Sequence, residues 1–193
     1  MADEVARRLV HMSGAVVPLS YLLEGDFVSW RVVQAFLGVA LVVVVVLEYL
    51  RLSVGLDWAI YDRLTREYEQ DNPAGYALYI MGMAAVAGAV ELGLPTDAAV
   101  AAMLMLAIGD PISGLLGSAG PSNIKQTWVL LVMFGVCTLL SSCFVPMAAA
   151  LIGAVAATFA DGVKPTIAGY VIDDNLSIPV LGAVVMWITI VIV

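Results

Sequence analysis

Acidic residues stand beside apolar segments at three separate places in this sequence. Asp173, Asp174 and Asn175 directly precede the last apolar stretch, while Asp110 and Asp161 each follow an internal one. Ionisable groups at the edge of a hydrocarbon phase are costly, and they are usually functional where they occur. Carboxylates combined with phosphate oxygens are the ligands that Mg²⁺ prefers. These residues therefore indicate a site for a metal ion and a phosphate group.

Lysines and glycines accompany the carboxylates. The stretch AIGDPISGLLGSAGPSNIK contains Gly114 and Gly117 and ends at Lys125, and Lys164 follows Asp161 by three positions. Glycine lets a phosphate-bearing ligand approach the backbone closely, and lysine offers a positive point charge to phosphate. The combination predicts a nucleotide-phosphate site that holds Mg²⁺. For the glycines alone, close packing of helices is at least as good an explanation.

Several common kinds of site do not fit the sequence. No GxxxxGK[ST] loop and no kinase catalytic-loop pattern occurs, so the ordinary ATP-binding folds do not apply. A single histidine and two cysteines argue against a zinc site. The cysteines, Cys137 and Cys143, are six positions apart on an apolar segment, which places them on different faces of a helix and argues against a disulfide. A net charge of −8 argues against nucleic-acid binding.

The composition indicates that helices in a membrane position these residues. Of 193 residues, 62% are hydrophobic and only 12% are charged, whereas a soluble domain is about 45–50% apolar and about 25% charged. Such a surplus cannot be buried in one small core. We predict an all-α, polytopic transmembrane helical bundle that forms a single integral membrane domain over residues 1–193. Its apolar segments are residues 10–23, 30–50, 75–93, 97–109, 128–145, 147–160 and 177–193. The first, fourth and sixth are shorter than a full span, which needs about 20 residues.

Basic residues predict the direction of these segments, because they favour the cytoplasmic side of a membrane. When Arg7 and Arg8 are placed inside and the segments alternate, every basic residue except Arg31 falls on the cytoplasmic side. The loops at residues 109–126 and 161–176 then reach the same face. Polar residues that are distant in sequence are therefore expected to converge at one cytoplasmic site.

Further polar groups lie near the ends of the apolar segments. Glu48 and Arg51 are three positions apart and share a helix face, which fits a structural ion pair as well as a site. His11 follows the basic pair at the N-terminus and fits either the site or the headgroup region. The connection at residues 51–73 is predicted to be a cytoplasmic amphipathic helix, with its aromatic residues at headgroup depth.

Four short motifs follow one another along the chain: RRLVHMSG, LEYLR, GDPISGLLG and DDNLSIPV. They frame almost the whole chain, and in this order the chain resembles the CTP-dependent lipid-alcohol kinases, the family of dolichol kinase, phytol kinase and the CTP-using diacylglycerol kinase. That family is distantly similar to the phosphatidate cytidylyltransferases. After the lysine the family typically has Ser/Thr-x-Glu-Gly, and KQTWVLL lacks the Glu-Gly. This difference from the family pattern leaves open a substrate other than those of the family.

The resemblance implies an enzyme that transfers the γ-phosphoryl group of CTP to the hydroxyl of a membrane lipid alcohol, such as a polyprenol or dolichol. Mg²⁺ would be the cofactor, and CTP and the lipid alcohol would be the partners. The metal would be held by Asp110, Asp173 and Asp174, and Asp161 would accept the proton of the lipid hydroxyl. The expected catalytic residues are Asp110, Asp161, Lys125 and His11, and the expected nucleotide-binding residues are Gly114, Gly117, Asn123, Lys125, Lys164, Asp173, Asp174 and Asn175.

Two other functions remain open at this point. A cytidylyltransferase would also use CTP, but it would release pyrophosphate and make a CDP-lipid. A small ion-coupled transporter would use Asp110 and Asp161 as ion sites. The acids are expected at one face rather than at the mid-plane, where transport sites usually lie, and this favours an enzyme. The identity of the lipid and the oligomeric state are left open.

Overall fold

The computed structural model of the protein describes residues 2–23, 28–55, 58, 61, 65, 69–117, 125–163, 166–167, 170–171 and 173–193. Its architecture is helical, with one hairpin of two short strands. In chain order the elements are α1 (Ala2–Ser13), α2 (Val16–Tyr21), α3 (Trp30–Tyr49), α4 (Gly75–Ala89), α5 (Thr96–Leu104), α6 (Asp110–Leu116), α7 (Thr127–Ser142), α8 (Met147–Gly162), β1 (Thr166–Ile167), β2 (Tyr170–Val171) and α9 (Asp174–Ile192).

Three short segments extend these helices. A π-helical turn at Leu50–Val54 continues α3, and a 3₁₀ turn at Val90–Leu92 continues α4. A second π-helical turn, Met105–Gly109, joins α5 directly to α6, so that the two form one helix from Thr96 to Leu116. The turn after α4 is made by Gly93, whose φ of 105° lies in the left-handed region that favours glycine.

The helix Thr96–Leu116 lies at the centre of the bundle. Its side chains from Ala98 to Ala107 are buried, and α4, α7 and α9 pack around it. The alanines of this helix let neighbouring backbones approach closely, as in other membrane bundles. Around this centre, α3 packs on α4, α7 packs on α8, and α9 contacts both α8 and α4, while α1 lies against α6 and the π-helical turn before it. The strands β1 and β2 pair antiparallel, with Thr166 opposite Val171.

Four helices in the described part of the chain are long and apolar enough to cross a membrane: Trp30–Val54, Gly75–Leu92, Thr96–Leu116 and Asp174–Ile192. Two shorter apolar helices, Thr127–Ser142 and Met147–Gly162, accompany them. These helices are consistent with a membrane protein and confirm the helical class. The expected number of seven segments is not confirmed. The first of the seven, at residues 10–23, is divided between α1 and α2 by a turn at Gly14 and Ala15.

Two expectations about where apolar segments begin and end are wrong. Asp110 was expected to end an apolar segment and to begin a loop at residues 109–126, but the helix continues through it to Leu116. Pro111 directly follows the π-helical turn Met105–Gly109, a local change in hydrogen bonding that accommodates a residue with no N–H within a continuous helix. The last segment was expected to begin at residue 177, but α9 already begins at Asp174. Ten of the 23 residues of the predicted amphipathic helix at residues 51–73 lie outside the described residues, as do Asn123 and Lys164.

Candidate active site

Three carboxylates from three helices converge on one point inside the bundle. Asp110 follows the central π-helical turn, Asp161 stands in the last turn of α8, and Asp174 stands in the first turn of α9. All three residues are buried, and each offers an oxygen within 4.8 Å of the others. Three like charges at this separation repel one another and require nearby cations or shared protons.

Lys125 supplies one of these cations. Its Nζ donates to Oδ1 of Asp161 in a short contact and to Oγ of Ser113 at 3.1 Å, and it lies 4.0 Å from Oδ1 of Asp110. Ser113 in turn donates to Oδ2 of Asp161 at 2.6 Å. Both oxygens of Asp161 therefore accept hydrogen bonds from neighbours. Lys125 directly precedes α7, and this position places its ammonium group between α6 and α8.

Arg8 supplies the second cation. Its Nη1 donates to Oδ2 of Asp110 at 3.1 Å, which joins α1 to α6. The guanidinium reaches this position because Gly114, one turn after Asp110, has no side chain there. A Cβ atom built on Gly114 would overlap the guanidinium of Arg8. The missing side chain of Gly114 thus makes room for the guanidinium of Arg8.

His11 lies beside the same carboxylate, and the π-helical turn explains its orientation. Within that turn the N–H of Asp110 donates to the carbonyl of Met105, and the corresponding partner of the next carbonyl, Leu106, would be Pro111, which has no N–H. Nε2 of His11 lies 3.2 Å from the Leu106 carbonyl oxygen. Because a carbonyl only accepts, Nε2 must carry a hydrogen atom.

The other ring nitrogen of His11 faces the carboxylate cluster. Burial lowers the pKa of His11 below its ordinary value, although the neighbouring Asp110 carboxylate opposes this effect. In a neutral ring with its hydrogen on Nε2, Nδ1 carries a lone pair. Nδ1 lies 3.7 Å from Oδ2 of Asp110. Two acceptors that face each other in this way suit a ligand that donates a hydrogen bond. Tyr79 packs edge-on against the ring and donates to the His11 carbonyl at 3.3 Å.

The Asp173-Asp174-Asn175 motif divides into three different roles. Asp173 is the N-cap of α9, and its Oδ1 accepts from the backbone N–H of Asn175 at 2.9 Å and from Nδ2 of Asn175 at 2.6 Å. Asp174 joins the carboxylate cluster. The contact with Asp173 fixes the orientation of the Asn175 amide, and Oδ1 of Asn175 is buried with no hydrogen-bond partner among the described residues.

A cavity of about 510 Å³ begins at this cluster. Asp110, Asp174 and Asn175 line it together with residues of α1, α2, α3 and α4. Most of its wall is apolar, and its volume lies within the range of about 300–1,000 Å³ that is usual for sites of small ligands. Asp161 and Lys125 are not among the described residues that line the cavity, so they lie behind Asp110 as seen from it.

The Glu48–Arg51 pair is confirmed as an ion pair, and it also fixes the segment before α4. Nε and Nη2 of Arg51 donate to the two carboxylate oxygens of Glu48 at 3.0 and 2.7 Å. Nη1 donates to the carbonyls of Glu69 and Gln70 at 3.0 Å each, and Nη2 to the carbonyl of Asn72 at 2.6 Å. These bonds use all five N–H groups of a guanidinium.

Glu48 completes this arrangement from the other side. Its Oε2 accepts from the backbone N–H of Ala74 at 3.0 Å, and its Oε1 accepts from the Tyr76 hydroxyl. The segment thus held brings Glu69 and Gly75 to the cavity wall, where a Cβ on Gly75 would lie 3.2 Å from Nδ2 of Asn175. The Glu48–Arg51 pair is structural, and it positions one wall of the site.

The structure brings together most of the expected site residues but rearranges their roles. Asp110, Asp161, Asp174, Lys125 and His11 lie in one cluster. Asp173, which was expected to hold the metal, caps a helix, and Asp161, which was expected to accept the proton of the lipid hydroxyl, is the third of the convergent carboxylates. Gly117 packs against the Ser113 carbonyl and Val129, away from the carboxylates. Asn123 and Lys164 lie outside the described residues.

Sequence reasoning missed three residues of this site. Arg8 was used only as a marker of the cytoplasmic side, although it precedes His11 by three positions and therefore shares its helix face. Ser113 follows Asp110 by the same spacing on α6. Tyr79 carried no signal of its own, because a tyrosine in an apolar helix is also common at membrane interfaces.

The residues present fit a divalent cation. Oxygens on opposite sides of an Mg²⁺ ion lie about 4.2 Å apart, since each Mg–O distance is about 2.1 Å. The three carboxylate oxygens lie within 4.8 Å of one another, so small side-chain movements would bring them into its coordination shell. The buried Oδ1 of Asn175 is an additional oxygen close in sequence to Asp174 that has no described partner. Carboxylate and amide oxygens are the donor set that this ion accepts.

Comparisons with protein-family models, with curated proteins and with solved structures found no match for this chain.

Proposed function

We propose that this protein is a membrane-embedded phosphotransferase that moves the γ-phosphoryl group of CTP to the hydroxyl of a lipid alcohol of the polyprenol or dolichol type. The observation that carries the proposal is the position of the buried carboxylate cluster at one end of a mainly apolar cavity. A cluster that fits Mg²⁺ suits a phosphate donor, and an apolar cavity that ends at the cluster suits an acceptor with a hydrocarbon tail. The choice of CTP rests on the four motifs alone.

The charged residues have distinct tasks in this proposal. Phosphoryl transfer depends mainly on positioning and on neutralising charge around the transferred group. Asp110, Asp161 and Asp174 would hold Mg²⁺, which supplies positive charge to the phosphate oxygens. Lys125 and Arg8 contact these carboxylates, and they would supply further positive charge to the phosphates.

The acceptor hydroxyl is placed by the cavity-lining side of the cluster. Nδ1 of His11 and Oδ2 of Asp110 are 3.7 Å apart and are both acceptors, so a hydroxyl placed between them can donate to either. As the new P–O bond forms and the bond to the CDP leaving group breaks, the hydroxyl proton passes to Nδ1 of His11. Asp161 is less suited to this task than expected, because Lys125 and Ser113 occupy its two oxygens.

The test is a panel of lipid alcohols with each nucleoside triphosphate and Mg²⁺, using the purified full-length protein. A kinase converts γ-labelled CTP into a labelled lipid phosphate and releases CDP. Labelled pyrophosphate together with a CDP-lipid would assign a cytidylyltransferase instead. Asp110→Asn should abolish product, whereas Asp97→Asn, at the opposite end of the same continuous helix, should not. Ion flux in proteoliposomes without nucleotide, combined with no lipid product, would contradict the proposal and favour a transporter.

A further inference from the structure

The walls of the cavity change from charged to apolar in one direction. On the α1–α2 side the lining begins with Arg7, Arg8 and His11 and continues to Val16 and Val17. On α4 it runs from Gly75, beside Asn175, to Met83. Eight residues of helix correspond to about 12 Å. The cavity therefore extends about 12 Å along α4 from the carboxylate end.

The apolar end is defined by α3, which runs antiparallel to α4. Glu48 accepts from the Tyr76 hydroxyl at one end of the pair, and Nε2 of Gln34 donates to the Ala87 carbonyl at 3.0 Å near the other. In this register Leu37 lies close to the level of Met83. Both side chains are buried and line the cavity, so they close its apolar end within the bundle.

One side of the cavity is open to the surroundings of the protein. Val10, Val16 and Phe36 line it, and they are 64%, 66% and 57% exposed, respectively. The first two belong to α1 and α2 and the third belongs to α3, so the opening lies between these elements. On a helix that crosses a membrane, exposed apolar side chains face lipid tails, which are as apolar as the side chains themselves.

We propose that this cavity binds the tail of a single-chain amphiphile, which enters sideways from the membrane between the α1–α2 pair and α3. Its hydroxyl lies at His11 and Asp110, and the first 12 Å or so of its tail lie along α4 as far as Leu37 and Met83. A longer tail leaves through the lateral opening into the bilayer. The distribution of lining residues favours this direction, because the polar end of an amphiphile fits the wall with Arg8, His11 and Asp110 and its hydrocarbon fits the apolar wall at the other end. The identity of the hydroxyl as the reacting group rests on the proposed function, but binding of the tail does not.

The inference makes Leu37 a residue that determines which tails are accepted. A tryptophan at this position fills the end of the cavity, whereas one at Val39 does not, because Val39 is exposed on the same helix and is not among the described lining residues. Leu37→Trp should therefore exclude long tails while short-chain alcohols still bind. Val39→Trp is the matched control for the added bulk and for insertion into the membrane.

The experiment uses the full-length protein in lipid nanodiscs and a hexadecanol probe with a photoreactive diazirine at the middle of its chain. Crosslinks are mapped by mass spectrometry. We expect saturable labelling of peptides around Leu37 and Met83 that unlabelled hexadecanol suppresses. Leu37→Trp should reduce it by about tenfold, the effect of roughly 1.4 kcal/mol of lost binding. Val39→Trp should leave the labelling unchanged.

Equal labelling of the two variants, or wild-type labelling that does not saturate and spreads over the lipid-facing residues, would overturn the inference. Saturation and competition in the wild type decide the question even if Leu37→Trp fails to fold. The outcome is separate from the proposed function. Specific labelling without any phosphoryl transfer would retain the tail site and reject the kinase, and transfer without specific labelling would do the reverse.

Discussion

The guanidinium of Arg8 lies against the backbone of Gly114, in the space that a side chain on Gly114 would otherwise fill. From this position Arg8 donates to Oδ2 of Asp110 at 3.1 Å. The contact joins the first helix of the chain to the end of the central helix. Arg8 of α1 therefore needs a glycine at position 114 of α6 to reach Asp110 in this way.

Replacing Gly114 by alanine should therefore remove Arg8 from the cluster. A Cβ at this position forces the guanidinium away from Asp110, and the loss of a hydrogen bond between charged groups corresponds to about 1.5–3 kcal/mol. We expect phosphoryl transfer to fall by about 10–100-fold, on the scale of tenfold per 1.4 kcal/mol. Steady-state rates with the best lipid alcohol measure the effect. Gly135→Ala is the control, because a Cβ there meets nothing within 4 Å, and a rate for Gly114→Ala equal to that of this control would contradict the role of Arg8.

Asp174→Asn should abolish turnover while the protein stays folded. Asp174 is one of the three convergent carboxylates, so the variant loses a ligand for Mg²⁺. It also removes one of three closely spaced negative charges, and the thermal midpoint of unfolding should be unchanged or higher without metal. Activity and thermal unfolding, each measured with and without Mg²⁺, test the prediction. A variant with activity near that of the wild type would rule out the metal assignment.

Asp173 should behave differently from its neighbour, although the resemblance implied that both residues hold the metal. Because Asp173 caps α9, Asp173→Ala should lower the free energy of unfolding by about 1 kcal/mol. Asp173→Asn can still cap the helix, and it should keep most of the activity. Chemical denaturation of the two variants beside the wild type measures the difference. If Asp173→Asn is as inactive as Asp174→Asn, then Asp173 is a metal ligand after all.

Arg51→Lys should lower stability and activity together. A lysine cannot reproduce the fork that binds both oxygens of Glu48 and three backbone carbonyls at residues 69–72. The lysine keeps the positive charge, but each hydrogen bond of the guanidinium that is lost lowers the free energy of unfolding by about 1.5–3 kcal/mol, and the wall at Glu69 and Gly75 loses its support. Thermal unfolding and the KM for the lipid alcohol should both change. Arg31→Lys, at an exposed position near the start of α3, is the matched control and should change neither. If the KM of Arg51→Lys for the lipid alcohol equals that of the wild type, the ion pair does not support the site.

The orientation of the chain is testable by labelling cysteines from one side. In a Cys137→Ser/Cys143→Ser background, Ser122→Cys should react with an impermeant thiol reagent in inside-out vesicles, and Mg-CTP should slow the reaction. Leu92→Cys is exposed at the end of α4 remote from the site, and it should react only in right-side-out vesicles. The reverse pattern would overturn the predicted cytoplasmic position of the site. If Mg-CTP does not slow the labelling of Ser122→Cys, the stretch before Lys125 does not belong to the nucleotide site.

Some features of this protein follow from the sequence because they depend on local composition. The surplus of apolar residues predicts helices that are long and apolar enough to cross a membrane, and the ion pair of Glu48 with Arg51 follows from their spacing on one helix. The expectation that Asp110, Asp161, Lys125 and the acidic motif converge follows from counting basic residues along alternating segments. Each of these arguments needs only residue types and helical periodicity.

Other features were decided by how helices meet in space. That Asp174 and not Asp173 belongs to the carboxylate cluster depends on where α9 begins, because Asp173 caps this helix and Asp174 stands in its first turn. The helix continues through Asp110 by way of a π-helical turn, and His11 of α1 contacts the Leu106 carbonyl of this turn. Arg8 reaches Asp110 only because α1 packs against Gly114. Contacts between residues about a hundred positions apart carry no periodic signal along the chain, so only the tertiary packing determined them.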